Sequence, residues 1–203
     1  MSALEAVVFD LGNVLLFFDW QVAADRMCAR TGRPRREVDH YFMTTPFAAR
    51  LERGEMSGRE FFETVAPDLG FEGTYEEFAV IWSDIFSPND PMIDLARRLK
   101  GRVRRFILSN TNPIHMDFVF QRFPFTREFE GHVFSYEVGA MKPEARIYEF
   151  LLKTMGMEAG RAAFIDDVRA NVETARAVGL HGIHYGNPDQ VRQELTKLGI
   201  PLI

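Results

Sequence analysis

The chain carries a single cysteine, Cys28, among 203 residues, so no intramolecular disulfide can form and folding must rest on a packed core. Its neighbours are apolar and helix-like, which makes a buried free thiol in a reducing compartment the expectation. No apolar stretch approaches the roughly 20 residues that cross a bilayer, and the N-terminus lacks a charged segment followed by an apolar one. These absences point to a cytoplasmic protein with no membrane partner. Neither sign of charge dominates: 24 Lys and Arg stand against 29 Asp and Glu, a net charge of −5. The densest basic run, from Arg97 to Arg105, sits where a helix ends ahead of a strand. A helix dipole and solvent account for it better than nucleic acid does. There is no internal repeat and no low-complexity segment.

What is present is a series of short, continuous apolar runs at residues 4–9, 103–108, 131–135, 162–165 and 180–185. Continuous rather than alternating apolarity describes strands buried on both faces, and from the second run onward helical segments separate them. The fold class is therefore α/β: a Rossmann-like parallel sheet flanked by helices. Asp90-Pro91 and Asn187-Pro188 read as helix starts, and Gly156 and Gly179 as helix ends.

Residues 15–90 interrupt the alternation. They show helical periodicity and no convincing strand. Ser57-x-x-Glu60 and Thr74-x-x-Glu77 read as capping boxes. Phe61, Phe62, Val65 and Leu69, then Phe78, Ile81, Trp82, Ile85 and Phe86, recur at helical spacing and predict an apolar bundle core. The expected organisation is a core of residues 1–14 and 91–203 with an inserted α-helical cap of residues 15–90. Placed directly after the first strand, that insert overhangs the carboxyl edge of the sheet as a lid. Phe17, Phe18 and Trp20 either pack the insert on the core or pair subunits, which leaves monomer and homodimer both open.

Three strands run into reactive residue types. Asp10 follows Ala6-Val7-Val8-Phe9, Ser109-Asn110 follows Phe106-Ile107-Leu108, and Asp166-Asp167 follows Ala162-Ala163-Phe164-Ile165. Ligands of open α/β sheets bind at that edge. A rigidly held carboxylate such as Asp10 suits a nucleophile or a metal ligand. The acidic pair Asp166-Asp167 beside it calls for a cation between them, and oxygen donors favour Mg²⁺. Ser109 can donate its hydroxyl, and the Asn110 backbone amide lies beside it. Lys142, ahead of a helix whose first turn Pro143 is expected to begin, supplies a positive charge.

The four segments Asp10-Leu11-Gly12-Asn13-Val14, Ser109-Asn110, Lys142-Pro143 and Asp166-Asp167-x-x-x-Asn171, in this order, resemble the haloacid dehalogenase superfamily over the whole chain. Leu51-Glu52-Arg53-Gly54-Glu55, Ser109-Asn110-Thr111-Asn112-x-x-His115 and Lys142-Pro143-Glu144-Ala145-Arg146-Ile147-Tyr148 look most like its bacterial sugar-phosphate phosphatases, and are similar to the phosphatase domain of soluble epoxide hydrolases. The resemblance implies a Mg²⁺-dependent phosphatase of a small phosphorylated metabolite that works through an aspartyl phosphate on Asp10. It implies Ser109 and Lys142 as partners of the phosphoryl group. It assigns the metal to Asp10, the Gly12 carbonyl and Asp167, with Asp166 farther out and Asn171 orienting the loop.

Gly12 departs from that pattern. Phosphatases of the superfamily usually carry a second aspartate there, which protonates the leaving oxygen and activates water. Such acid and base catalysis is worth ~10²- to 10⁴-fold. Three alternatives remain open on the sequence: a substrate with a good leaving group, a proton donor elsewhere, or a slow or non-catalytic relative that binds phosphorylated metabolites. A metal-independent 2-haloacid dehalogenase is a further reading, opposed by the Asp166-Asp167 pair. Asn13 either stabilises its turn or contacts substrate. His115 is the nearby motif residue of a type that ordinarily titrates near neutral pH, with a plain helix-face hydrogen bond as the alternative. Glu52, flanked by Arg50, Arg53 and Glu55, is a candidate for the non-phosphate end of the substrate.

Overall fold

The structure, a computed structural model, describes residues 4–200. Strand β1 (Ala6–Phe9) leads through a loop into β2 (Leu16–Phe18), then five helices, α1 (Trp20–Thr31), α2 (Arg35–Thr44), α3 (Phe47–Glu52), α4 (Gly58–Leu69) and α5 (Tyr75–Ser83). The chain returns along β3 (Phe86–Pro88) and α6 (Asp90–Leu99). It continues as β4 (Arg104–Ser109), α7 (Pro113–Arg122), β5 (Gly131–Phe134), α8 (Ser135–Val138), α9 (Ala145–Met155), β6 (Ala162–Asp166), α10 (Arg169–Ala177), β7 (His181–His184) and α11 (Pro188–Lys197).

Five strands form one sheet in the order β5-β4-β1-β6-β7, every pairing parallel. The pleat sends alternate residues of β1 into opposite layers. Val7 and Phe9 pack with Met92 and Leu95 of α6, Met116 of α7 and Val191 of α11. Ala6 and Val8 pack with Ile147 and Leu151 of α9 and Ala175 of α10. A strand covered on both faces cannot alternate apolar with polar residues, which is why these segments read as unbroken apolar runs. With β1 central, β4 on one side and β6 on the other, the carboxyl ends of all three face a common crevice where the strand order reverses.

The five inserted helices hold their own apolar cluster, built on Met27, Val38, Leu51, Phe61, Val65, Phe78 and Trp82, with Ile114 of α7 joining it. Its aromatic rings meet mostly edge to face, among them Trp20 with Trp82 at 4.9 Å and Phe61 with Phe78 at 5.9 Å, a geometry the ring quadrupoles favour. Both capping boxes form: Ser57 and Thr74 accept from the amides of Glu60 and Glu77, whose carboxylates accept from the cap amides in return.

Four local expectations need correction. Residues 15–90 are not strand-free, because β2 and β3 pair antiparallel as a two-stranded ribbon beside the sheet. At three residues each, with Phe17 and Phe18 exposed, the pair gives too little alternation to read from sequence. Asn89, not Asp90, caps α6, and its side chain is turned away to donate to the Val14 carbonyl and the Tyr185 hydroxyl. Pro143 lies in a turn, with α9 starting only at Ala145 after Glu144. Cys28 is half-buried rather than buried. The basic run is absorbed locally, as Arg105 is buried against Glu130 and Lys100 meets Glu128. Among the described residues, no helix is long and apolar enough to cross a membrane.

One contact seats α3 on the sheet-bearing layer. Gly54, at φ +68°, lies so close to α8 that a Cβ there would stand 2.0 Å from the Tyr136 carbonyl oxygen. Neither the left-handed backbone nor the space tolerates a side chain. Gly54→Ala should therefore cost about 1–3 kcal/mol and lower the melting temperature by roughly 3 °C or more in a calorimetric scan. An unchanged melting temperature would show that α3 is not held there.

Candidate active site

Asp10 is the first residue past β1. Its amide donates to the Ile165 carbonyl, so the parallel ladder still fixes its backbone. The following loop folds back at once: the amides of Leu15 and Leu16 donate to the Leu11 carbonyl, and that of Asn13 to the Leu16 carbonyl. Asn13 occupies the left-handed region at φ 54°, where asparagine is among the few tolerated residues. Its side-chain amide donates to Asp167 Oδ2 at 3.1 Å. Asn13 thus ties the end of β1 to the end of β6, with its side chain bonded to Asp167 rather than to its own turn.

Lys142 joins the carboxylates. Its Nζ lies 2.7 Å from Asp10 Oδ1 and 2.7 Å from Asp166 Oδ2, and it is buried with both. Asn110 aims it by a two-point grip, Oδ1 accepting from the Lys142 amide at 2.7 Å and Nδ2 donating to the Lys142 carbonyl at 2.9 Å. The Asn110 side chain is therefore committed to Lys142, and what remains for a ligand is its backbone amide. Among the described residues Ser109, buried at the end of β4, turns its hydroxyl only to the adjacent Asn110 carbonyl at 3.3 Å. Sequence reasoning missed Thr111 and Ser135: the Ser135 hydroxyl accepts from the Thr111 amide and donates to the Thr111 carbonyl, pinning the loop after β4 to the start of α8. Isolated serine and threonine give no signal for such a pairing in sequence.

Asp166 is fully buried and its oxygens are consumed, by Lys142, by the Val168 amide and by the side-chain amide of Asn171. Asn171 is held in turn, its carbonyl accepting from the Tyr148 hydroxyl. Asp10, Asp166 and Asp167 each offer an oxygen within 4.8 Å of the others. Asp10 Oδ1 accepts from the Leu11 amide as well as Lys142. Oδ2 of Asp10 and Oδ1 of Asp167 have no hydrogen-bond partner among the described residues.

One ammonium among three carboxylates leaves the group short of positive charge. Burial pushes the Asp10 carboxyl up to about 7, with Asp166 and Asp167 adding to the rise and Lys142 opposing it. Burial pulls on Lys142 the other way, but Asp10 and Asp166 outweigh it and hold the ammonium above its ordinary range. A hard divalent cation matches both the missing charge and the donor set, since Mg²⁺ takes oxygen ligands and few protein carboxylates. The residues present fit such an ion.

Above this edge lies a cavity of about 90 Å³, bounded by Gly12, Ser109, Asn110 and Thr111 below and by Phe18, Glu52, Ile85, Phe86 and His115 above. Arg50 and Arg53 do not enter it. Arg53 pairs with Glu144 at 2.5 Å and Arg50 lies 3.8 Å from Glu55, leaving Glu52 as the charged member of that run that faces the cavity. Burial raises the Glu52 carboxyl above its ordinary value. The expectation that His115 titrates near neutrality does not hold. Nε2 lies 3.2 Å from the Trp82 carbonyl, an acceptor, so that nitrogen carries the hydrogen, and Nδ1 accepts from Asn112 at 3.0 Å. Burial lowers its pKa to about 4, with the Trp82 bond opposing.

Comparison with known proteins identifies the family and the fold. The pattern of the haloacid dehalogenase-like hydrolases matches residues 4–179. A D-ribitol-5-phosphate phosphatase of Bacteroides thetaiotaomicron is 28% identical over 199 residues, covering 94% of this chain and 96% of the relative. Phosphatase MT3486 of Mycobacterium tuberculosis is 26% identical over 211 residues, covering 97% and 96%. A crystal structure of a haloacid dehalogenase family enzyme of Bacteroides thetaiotaomicron, in complex with magnesium and inorganic phosphate, superposes with a TM-score of 0.82 at 24% identity, over 90% of this chain and 94% of that one.

The state of His115 is directly measurable. A base whose pKa falls on folding stabilises the fold above its ordinary pKa of 6.5, and that stability is lost as the pH drops from there toward about 4, at up to roughly 1.4 kcal/mol per pH unit. The NMR shift of the His115 ring should stay flat between pH 8 and 5. A midpoint near 6.5 would show that the ring is open to water.

Proposed function

The chain belongs to the haloacid dehalogenase-like hydrolases, and we propose that it is a Mg²⁺-dependent phosphatase of a small phosphorylated metabolite, a sugar or polyol phosphate or similar. The observation that carries this reading is the buried Lys142 ammonium, 2.7 Å from both Asp10 and Asp166, with Asp167 beside them. A carboxylate held by a cation at a strand end is oriented without being spent, and can attack phosphorus to form an aspartyl phosphate.

Asp10 is the nucleophile. Ser109 Oγ and the Asn110 amide donate to the phosphoryl oxygens, and Lys142 balances charge on nucleophile and phosphate together. Asp10, Asp167 and the Gly12 carbonyl would hold the magnesium ion, which would supply charge neutralisation at the phosphoryl group. Asp166 and Asn171 position Lys142 and the loop rather than touching the ion. Residues 15–90 form the cap over a core of 1–14 and 91–203, excluding water from the reacting centre. A sugar or polyol phosphate is supported by the name of the Bacteroides thetaiotaomicron relative and by the hydroxyl, amide and carboxylate groups lining a small cavity.

A non-catalytic phosphate-binding role is the second reading, favoured by Gly12: a Cβ built there would lie 3.3 Å from the Phe18 ring, where the family places a carboxylate. Turnover separates the two. With Mg²⁺ the protein should release phosphate from some member of a sugar and polyol phosphate panel, and a chelator should stop it. Asp10→Asn should lower the rate by on the order of 10⁴-fold or more while circular dichroism shows an unchanged fold. Silence across the panel would leave the binding role.

A further inference from the structure

The proposed reaction lacks a proton donor for the leaving oxygen, since position 12 is glycine and the space beside it belongs to Phe18. His115 lines the same cavity, but both ring nitrogens are engaged, by Trp82 and Asn112. Asn13 is committed to Asp167 and cannot transfer a proton. The remaining titratable side chain on the cavity is Glu52, delivered from the opposite side by the last residue of α3.

Resting on the phosphatase reading above, we propose that Glu52 is the general acid and base of the reaction, supplied by the helical insert in place of the carboxylate missing after the nucleophile. Three observations of this chain carry it. The cavity that Glu52 faces is also bounded by Gly12, Ser109 and Asn110, and it is small, at about 90 Å³. Acid and phosphate site therefore line one and the same small cavity. Glu52 has no hydrogen-bond or ion-pair partner among the described residues, whereas its neighbours do: Arg50 faces Glu55, and Arg53 pairs with Glu144. Its position is fixed, because Leu51 before it is buried in the insert core and Gly54 after it sits on the Tyr136 carbonyl. Burial raises its pKa, the direction an acid needs to hold its proton.

The proton account closes. Asp10 attacks phosphorus, the bond from phosphorus to the leaving oxygen breaks, and that oxygen takes the Glu52 proton and departs as the alcohol. Glu52, now a carboxylate, takes a proton from water as the water oxygen attacks phosphorus. The bond from Asp10 to phosphorus breaks, phosphate leaves, and Glu52 is again protonated.

The test uses leaving groups of different basicity. Acetate needs no proton to depart, so Glu52→Gln should be labelled on Asp10 by ³²P-acetyl phosphate at close to the wild-type rate. Deprived of its base, it should keep that label far longer. With the sugar or polyol phosphate that wild type hydrolyses fastest, the same variant should lose ~10²- to 10⁴-fold in kcat with little change in KM. Labelling by acetyl phosphate also reports that the variant is folded. Equal loss on both substrates, a change confined to KM, or rapid loss of the label would overturn the assignment while leaving the phosphatase reading intact. If wild type neither turns over nor is labelled, the phosphatase reading fails, and this assignment with it.

Discussion

The buried ion contact of Lys142 with Asp10 and Asp166 is the constraint on which the rest of the structure depends. Taking three charged groups out of water is costly, and removing one partner would strand the others. The fold meets that cost with position rather than with more charge. The ends of β1 and β6 are neighbours in the parallel sheet, so the two carboxylates arrive side by side, and Asn110 at the end of β4 grips the Lys142 backbone at both its amide and its carbonyl. Asn171 and the Val168 amide occupy what remains of Asp166. Asp10 and Asp166 are thus fastened to one ammonium, and Asn110 holds the backbone of the residue that carries it.

The sheet explains why this edge could be read from sequence. Strands buried on both faces must be apolar without interruption, so the first polar residue after each run marks where the chain leaves the core. Asp10, Ser109-Asn110 and Asp166-Asp167 announce themselves in that way, and the structure brings them to one crevice with Lys142. The capping boxes at Ser57 and Thr74 were equally plain, because their signal lies within four residues.

What the sequence hid depends on partners distant along the chain. The ribbon of β2 and β3 pairs Phe18 with Phe86 across the whole insert, and neither strand is long enough to show a period. The clamp of Ser135 on Thr111 and the reach of Asn13 to Asp167 are tertiary facts about residue types found in any turn. Of the two readings of His115 the hydrogen-bonded one describes it, because burial and two hydrogen bonds, not water, surround this imidazole. Pro143 looked like a helix start, yet α9 begins only at Ala145.

Placing the acid on the insert rather than beside the nucleophile changes what covering the site accomplishes. A carboxylate two residues after Asp10 would ride on the core and be present whether or not the crevice were covered. Glu52 is present only when α3 is seated, and its seating rests on the contact of Gly54 with Tyr136 and on the pairing of Arg53 with Glu144, next to Pro143 and Lys142. The residue that would deliver the proton therefore lies one position from Arg53, whose partner Glu144 is two residues from Lys142. Covering of the crevice and delivery of the acid then rest on the same contact, and a substrate too large to allow it would meet a nucleophile but no proton.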